Sequence, residues 1–132
     1  MKVLSIRQPF ASLIAEGFKE YEFRSWKTLY RGDILIHAGK GVDKIYLDKF
    51  SHYGLDCPMG CIIAKATITD CIKVDDPFKA ELRKLGSLVY SGVTEDPQWS
   101  GYAFKLENIE KIEPIAINGK LGLWEYDWEG SK

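Results

Sequence analysis

The chain has 132 residues, 45% of them hydrophobic and 13% aromatic, a size and composition suited to one core in one domain spanning 1–132. Its net charge of −1 excludes the strongly basic footprint of a protein that grips long duplex DNA by its phosphates. No apolar stretch nears the ~20 residues of a bilayer span, and no basic segment leads into an apolar signal core at the N-terminus. Cys57, Cys61 and Cys71 are an odd set without a CxxC pair, so the expectation is a cytoplasmic protein with free thiols and no membrane association. Charge is uneven: nine basic residues face seven acidic ones up to residue 56, and nine face twelve beyond it.

The segment Met1 to Ile6 predicts a short strand. Pro9 suits the first position of a helix over 9–16, with Phe10, Leu13 and Ile14 as its apolar stripe. Gly17 is a left-handed stop after which Phe18 packs back on the last turn. From Glu20 to Trp26 the pattern alternates, Tyr21, Phe23 and Ser25 against Glu22, Arg24 and Trp26, as in a half-buried strand. Asp33 to Ala38 is the next strand, and Asp43 opens a helix with apolar positions Ile45, Tyr46, Phe50 and Tyr53, closed by Gly54.

Gly60 to Val74, rich in Ile, Thr and Val, predicts a long strand that bends partway. Asp75-Asp76-Pro77 opens a partly helical insertion through Leu85, and residues 86–101, with three glycines and a proline, predict a long loop carrying Trp99. Tyr102 to Ile117 predicts two strand segments split by the charged stretch Glu107 to Glu113. Asn118-Gly119 predicts a tight hairpin into Leu121 to Tyr126. About six strands and two or three helices without a βαβ repeat favour an α+β barrel over a doubly wound sheet.

Gly17-Phe18-Lys19-Glu20-Tyr21-Glu22-Phe23-Arg24 fits a GxKxxExR signature. Leu4-Ser5-Ile6-Arg7-Gln8-Pro9-Phe10-Ala11 resembles an LSIRQPWA opening in which Phe10 replaces tryptophan. With Tyr30-Arg31-Gly32, Leu35-Ile36-His37-Ala38 and the Pro114 to Trp124 stretch, the chain resembles the ASCH domain family of the PUA-like superfamily over nearly its whole length. The resemblance implies a small PUA-like β-barrel with a cleft between its first helix and the adjoining strands. It also implies one of three activities: binding of RNA or modified nucleosides, ribonuclease activity, or amidohydrolysis of acetylated cytidine. The amidohydrolase subgroup carries threonine where this chain has Glu22, so its expected hydroxyl nucleophile is missing and Glu22 would have to activate water instead.

Lys19 and Glu22 can face one another across the helix-to-strand junction, and Glu22 and Arg24 share a strand face by the two-residue period. In a desolvated cleft Lys19 would act as proton shuttle or nucleophile, Glu22 as general base and Arg24 as phosphate or carbonyl clamp; as a purely structural set they would be an ion pair closing the cleft floor. Trp26, Trp99 and Tyr102 are candidate stacking faces for a base, with core packing as the alternative for any single ring. Trp124 and Trp128 are assigned to packing. Gln8 and Ser25 join as candidate base readers through the family's cleft location. His37 is either a cleft acid–base group or, as its place beside Ile36 favours, a buried hydrogen-bonded ring. His52, Cys57 and Cys61 match no zinc spacing, so no metal and no cofactor is expected. Lys19, Arg24 and Lys27 are expected to make a compact positive pocket suited to RNA or a nucleotide-like small molecule.

Overall fold

The computed structural model describes residues 1–130. Six strands form one mixed sheet in the order β2-β5-β4-β3-β1-β6: β1 (Lys2–Gln8), β2 (Tyr21–Arg24), β3 (Gly32–Val42), β4 (Cys61–Lys73), β5 (Tyr102–Ala116) and β6 (Leu123–Glu125). The β1–β3 pair is parallel; the other pairs are antiparallel. Four α-helices accompany them, one or two more than expected: α1 (Phe10–Ala15), α2 (Lys44–Lys49), α3 (Asp76–Lys84) and α4 (Ser91–Thr94). The class is α+β, and the hydrogen-bonded ladder leaves β2 and β6 as its two edges.

The main core lies between α1 and the sheet. Leu4, Ile6, Ile34, Ile36, Ile68 and Phe104 meet Ala11 and Ile14 there, all essentially out of solvent. A second cluster, with Leu13, Phe50, Val89, Tyr90 and Val93, ties α2 and the 88–94 segment to the other side of α1. Pro9 takes the cap position, one residue earlier than expected, and α1 runs only to Ala15. Gly17, at φ 83°, reverses the chain, and the N–H groups of Phe18 and Lys19 both return to the Leu13 carbonyl. Phe18 is 45% exposed and rests on the Tyr53 ring, 4.7 Å away.

The Asp43 carboxylate caps α2 by accepting from the Tyr46 N–H, and Gly54 ends the following turn at φ 65°. Tyr46 and Phe50 turn inward, whereas Ile45 is solvent-exposed, contrary to its expected apolar position. The long β4 is uninterrupted, and its pairing with β5 shifts register at three points, between Ile62 and Ala64, Lys65 and Thr67, and Ile68 and Asp70.

Three expectations are corrected. Tyr102–Ala116 is one strand, because the charged stretch that reads as a break stays on the β4 ladder and Asn108, at φ 54°, absorbs the irregularity. Asn118-Gly119 is no tight hairpin, because the strand after it pairs with β1 and not with β5. The chain there passes so close to β1 and β3 that a Cβ on Gly119 would lie 2.7 Å from Ser5 Oγ and 2.8 Å from His37 Cε1. Residues 86–101 are not plain loop: a 3-10 turn over Leu88–Tyr90 runs into α4, and Val89, Tyr90 and Val93 bury themselves.

Candidate functional site

The inward turn after Gly17 delivers Lys19 beneath α1, where it is 2% exposed. Its ammonium donates to Glu22 Oε1 at 2.9 Å and to the Tyr21 carbonyl. It also lies over two rings, 5.0 Å from the Phe23 centroid and 5.6 Å from that of Phe10. Strand β2 then presents Glu22 and Arg24 on one face, and Arg24 Nη2 closes on Glu22 Oε2 at 3.1 Å. The same guanidinium donates to the Ser5 carbonyl on β1. One buried carboxylate is therefore held between two cations. Burial pushes the Lys19 ammonium below its ordinary pKa, and the Glu22 charge returns only part of that. Burial works against ionised Glu22 as well, but the Lys19 and Arg24 charges outweigh it and hold the carboxyl below the usual range.

Above this floor opens a cleft of about 560 Å³. Phe10 and Tyr46 form one part of its wall, with centroids 5.3 Å apart, and Phe23 and Trp99 another, at 5.6 Å. Trp26 lines it too, its ring edge-on to Phe104 at 5.1 Å. The 88–94 segment closes a side with Val89, Tyr90 and Val93. Tyr90 is anchored there by accepting the Glu20 N–H at 2.8 Å, and burial pushes its phenol up to about 12. Arg24 Nε is buried without a hydrogen-bond partner among the described residues.

Of the residues singled out from sequence, Lys19, Glu22, Arg24, Ser25, Trp26 and Trp99 line this cleft together. Gln8, His37 and Tyr102 do not. Gln8 is wholly buried, its amide nitrogen donating to Ser12 Oγ and the Pro58 carbonyl at 2.8 Å each, and it ties α1 to the segment before β4. His37 is fixed at both ring nitrogens, Nδ1 with Ser5 Oγ at 3.0 Å and Nε2 with the Ile117 carbonyl at 2.7 Å, and its ring meets Trp124 edge-on. Tyr102 pairs with Arg24 in the β2–β5 ladder but packs on the main core. Lys27 is exposed and outside the cleft; the third cation lining it is Arg7. Arg7 and Phe10 both stand in the opening motif, which was the available signal for them. Tyr46 and Tyr90 had none, because only the folding of their segments against α1 and β2 brings them in. Among the described residues no three His, Cys, Asp or Glu side chains group as metal ligands.

An α+β domain with a mixed sheet and a ring-walled cleft over a buried Lys–Glu–Arg set defines the class of protein. The chain belongs to the ASCH domain family, which it matches over residues 4–117, a PUA-like fold associated with RNA binding. It is 33% identical to mouse and 26% identical to human activating signal cointegrator 1, in each case over 94% of this chain but only 22% of the relative, so it spans about a fifth of those proteins. The crystal structure of ASCH from Zymomonas mobilis superposes with a TM-score of 0.59 at 21% identity, covering 87% of this chain and 72% of that one. A serine-to-alanine mutant of the same Zymomonas mobilis protein gives 0.58 at 20% identity, with 88% and 73% coverage. At that identity the likeness establishes the fold. No helix among the described residues is long and apolar enough to cross a membrane.

Proposed function

We propose that the cleft binds single-stranded RNA or a modified nucleoside, taking one base between its aromatic walls. The observation that carries this reading is the combination of a cleft of about 560 Å³ with rings on its sides and a charged floor. Ligand pockets typically span ~300–1,000 Å³, and base–ring stacking contributes ~1–3 kcal/mol per base whatever its sequence. Arg24 Nε, buried and unpartnered, is a donor that a carbonyl on the base edge would satisfy. Ser25, exposed at the cleft edge, is a second polar contact. The test is titration with nucleosides and short single-stranded RNAs, repeated with Arg24→Ala and Trp26→Ala. Unchanged affinity in both variants for a ligand that binds the wild type would exclude this cleft. RNA binding should show a shallow logarithmic salt slope of ~1–2, since each neutralised phosphate adds roughly 0.7 for a single strand. A slope expected for six or more phosphates would demand an extended groove instead.

The Lys19 ammonium held 2.9 Å from the Glu22 carboxylate on the cleft floor supports a second reading, amidohydrolysis of an acylated cytidine; burial eases proton release from Lys19, while the lowered pKa of Glu22 makes it a weaker base than a free carboxylate. The Glu22 carboxylate would take a proton from water as the water oxygen attacks the acyl carbon. Lys19 would then pass a proton to the departing amine as the C–N bond breaks, and would take back the proton of the acetic acid so formed, releasing acetate and cytidine while Glu22 returns its proton to solvent. Release of acetate from N4-acetylcytidine that continues unchanged in Lys19→Ala would refute this assignment. A ribonuclease reading would draw its acid and base from the same Lys19 and Glu22, which line the cleft. Incubation with labelled RNA in chelator separates it, since intact RNA excludes cleavage and leaves binding untouched.

A further inference from the structure

We infer that the cleft prefers a phosphorylated nucleotide to a bare nucleoside and that Arg7, at its rim, reads the phosphate. This rests on the base-binding reading of the same cleft. Arg7, Lys19, Glu22 and Arg24 are the charged residues lining it, three cations against one carboxylate. Lys19 is consumed by Glu22 and the Tyr21 carbonyl, and one end of Arg24 by Glu22 and Ser5. Arg7 is exposed, and among the described residues no carboxylate lies within 4.0 Å of it. Among the described residues the one hydrogen bond of its side chain, Nη2 to the Val42 carbonyl at 3.4 Å, is stretched beyond the usual N–H···O range and is readily exchanged for a better acceptor.

The backbone aims this side chain. The β1–β3 register passes from Ile6↔Ala38 to Gln8↔Val42, so Arg7 sits at the irregularity, opposite the Gly39-Lys40-Gly41 run, where a ladder break re-aims a side chain. Gly41 lets the arginine stem lie against the chain: a Cβ there would stand 3.4 Å from Arg7 Nε and 3.6 Å from Cγ. Arg24 reaches the same strand at the Ser5 carbonyl, two residues earlier, and both arginines line the cleft. The floor set carries a net single positive charge and Arg7 adds a second, a balance matched to the dianion of a phosphate monoester. A planar guanidinium with free donors suits that geometry.

The experiment is calorimetric titration of the wild type, Arg7→Gln, Arg7→Lys and Lys27→Gln with the four ribonucleosides and their 5′- and 3′-monophosphates. For at least one base the wild type should bind a monophosphate ~10–100-fold tighter than its nucleoside, the range of a charge-assisted hydrogen bond. Arg7→Gln should remove that preference, so that its nucleoside and monophosphate affinities agree within about twofold. Arg7→Lys should keep part of it, and Lys27→Gln all of it. The 5′ and 3′ arms show which phosphate is read. Equal wild-type affinity for nucleoside and monophosphate would overturn the phosphate inference while leaving the base site standing. Full preference retained in Arg7→Gln would overturn the role of Arg7, and no binding of either ligand class would overturn both readings.

Discussion

Replacing Glu22 with glutamine tests whether the floor of the cleft is a desolvated ionic set. The exchange is nearly isosteric, but it removes the charge between Lys19 Nζ at 2.9 Å and Arg24 Nη2 at 3.1 Å. The amide has one oxygen for two donors, so its NH₂ must face one of the cations. Removing one partner of a buried pair costs ~3–5 kcal/mol, because the remaining charge keeps its desolvation penalty. Lys19, 2% exposed, keeps almost no solvent contact to offset that loss. For a chain of this size each kcal/mol moves the midpoint by roughly 3–5 °C, so Tm should fall by about 10–20 °C. Urea unfolding should show a lower midpoint at unchanged m. The pH dependence has a definite sign. Burial lowers the folded pKa of Lys19, so the unfolded chain holds more protons between the folded and unfolded lysine values, and stability must rise with pH through that window. In Glu22→Gln the offsetting carboxylate is gone, the window widens downward, and the deficit against wild type should shrink earlier on the alkaline side. Combining it with Lys19→Met should recover part of the loss, since both charges are then absent. A loss under about 1 kcal/mol, the range of a solvated surface pair, would refute the desolvated arrangement.

The wild type should also lose stability in acid: Glu22 contributes above its unfolded pKa near ~4.3, and that contribution disappears as pH falls through its lowered folded value, which acid titration by circular dichroism follows. His37→Phe should destabilise by ~1–3 kcal/mol through the lost bonds to the Ile117 carbonyl and to Ser5 Oγ, which keeps only the Trp124 indole, yet leave affinity for any cleft ligand unchanged; lost affinity would place the histidine in the site. Gly92→Ala puts a Cβ 2.5 Å from Tyr46 Oη and should weaken ligand binding, with Tyr46→Phe restoring it because the next ring atom is 3.2 Å away. Ultraviolet titration of the phenols should show a late ionisation near pH 12 that disappears in Tyr90→Phe.

What the sequence determined by itself is local. Asp43 and Asp75 before their helices, Gly17 and Gly54 in left-handed conformation, the long Ile- and Thr-rich strand and the two-residue period from Glu22 to Arg24 all follow from chemistry within a few residues of each position. The pairing of Lys19 with Glu22 was legible for the same reason, since a three-residue separation at a helix-to-strand junction leaves few other arrangements. Only the tertiary structure decided which strand takes Leu123–Glu125. Asn118-Gly119 is a good hairpin turn in isolation, but burial of Trp124 with Val3, Leu35 and Ile62 outweighs a local turn preference and sends the strand to β1. It alone decided that Trp99 and Tyr90 wall the cleft while His37 and Tyr102 leave it. An isolated ring or histidine carries no record of the partner it will meet tens of residues away. That Arg7 stands at the β1–β3 register shift without a carboxylate within 4.0 Å among the described residues is likewise a property of the folded neighbourhood.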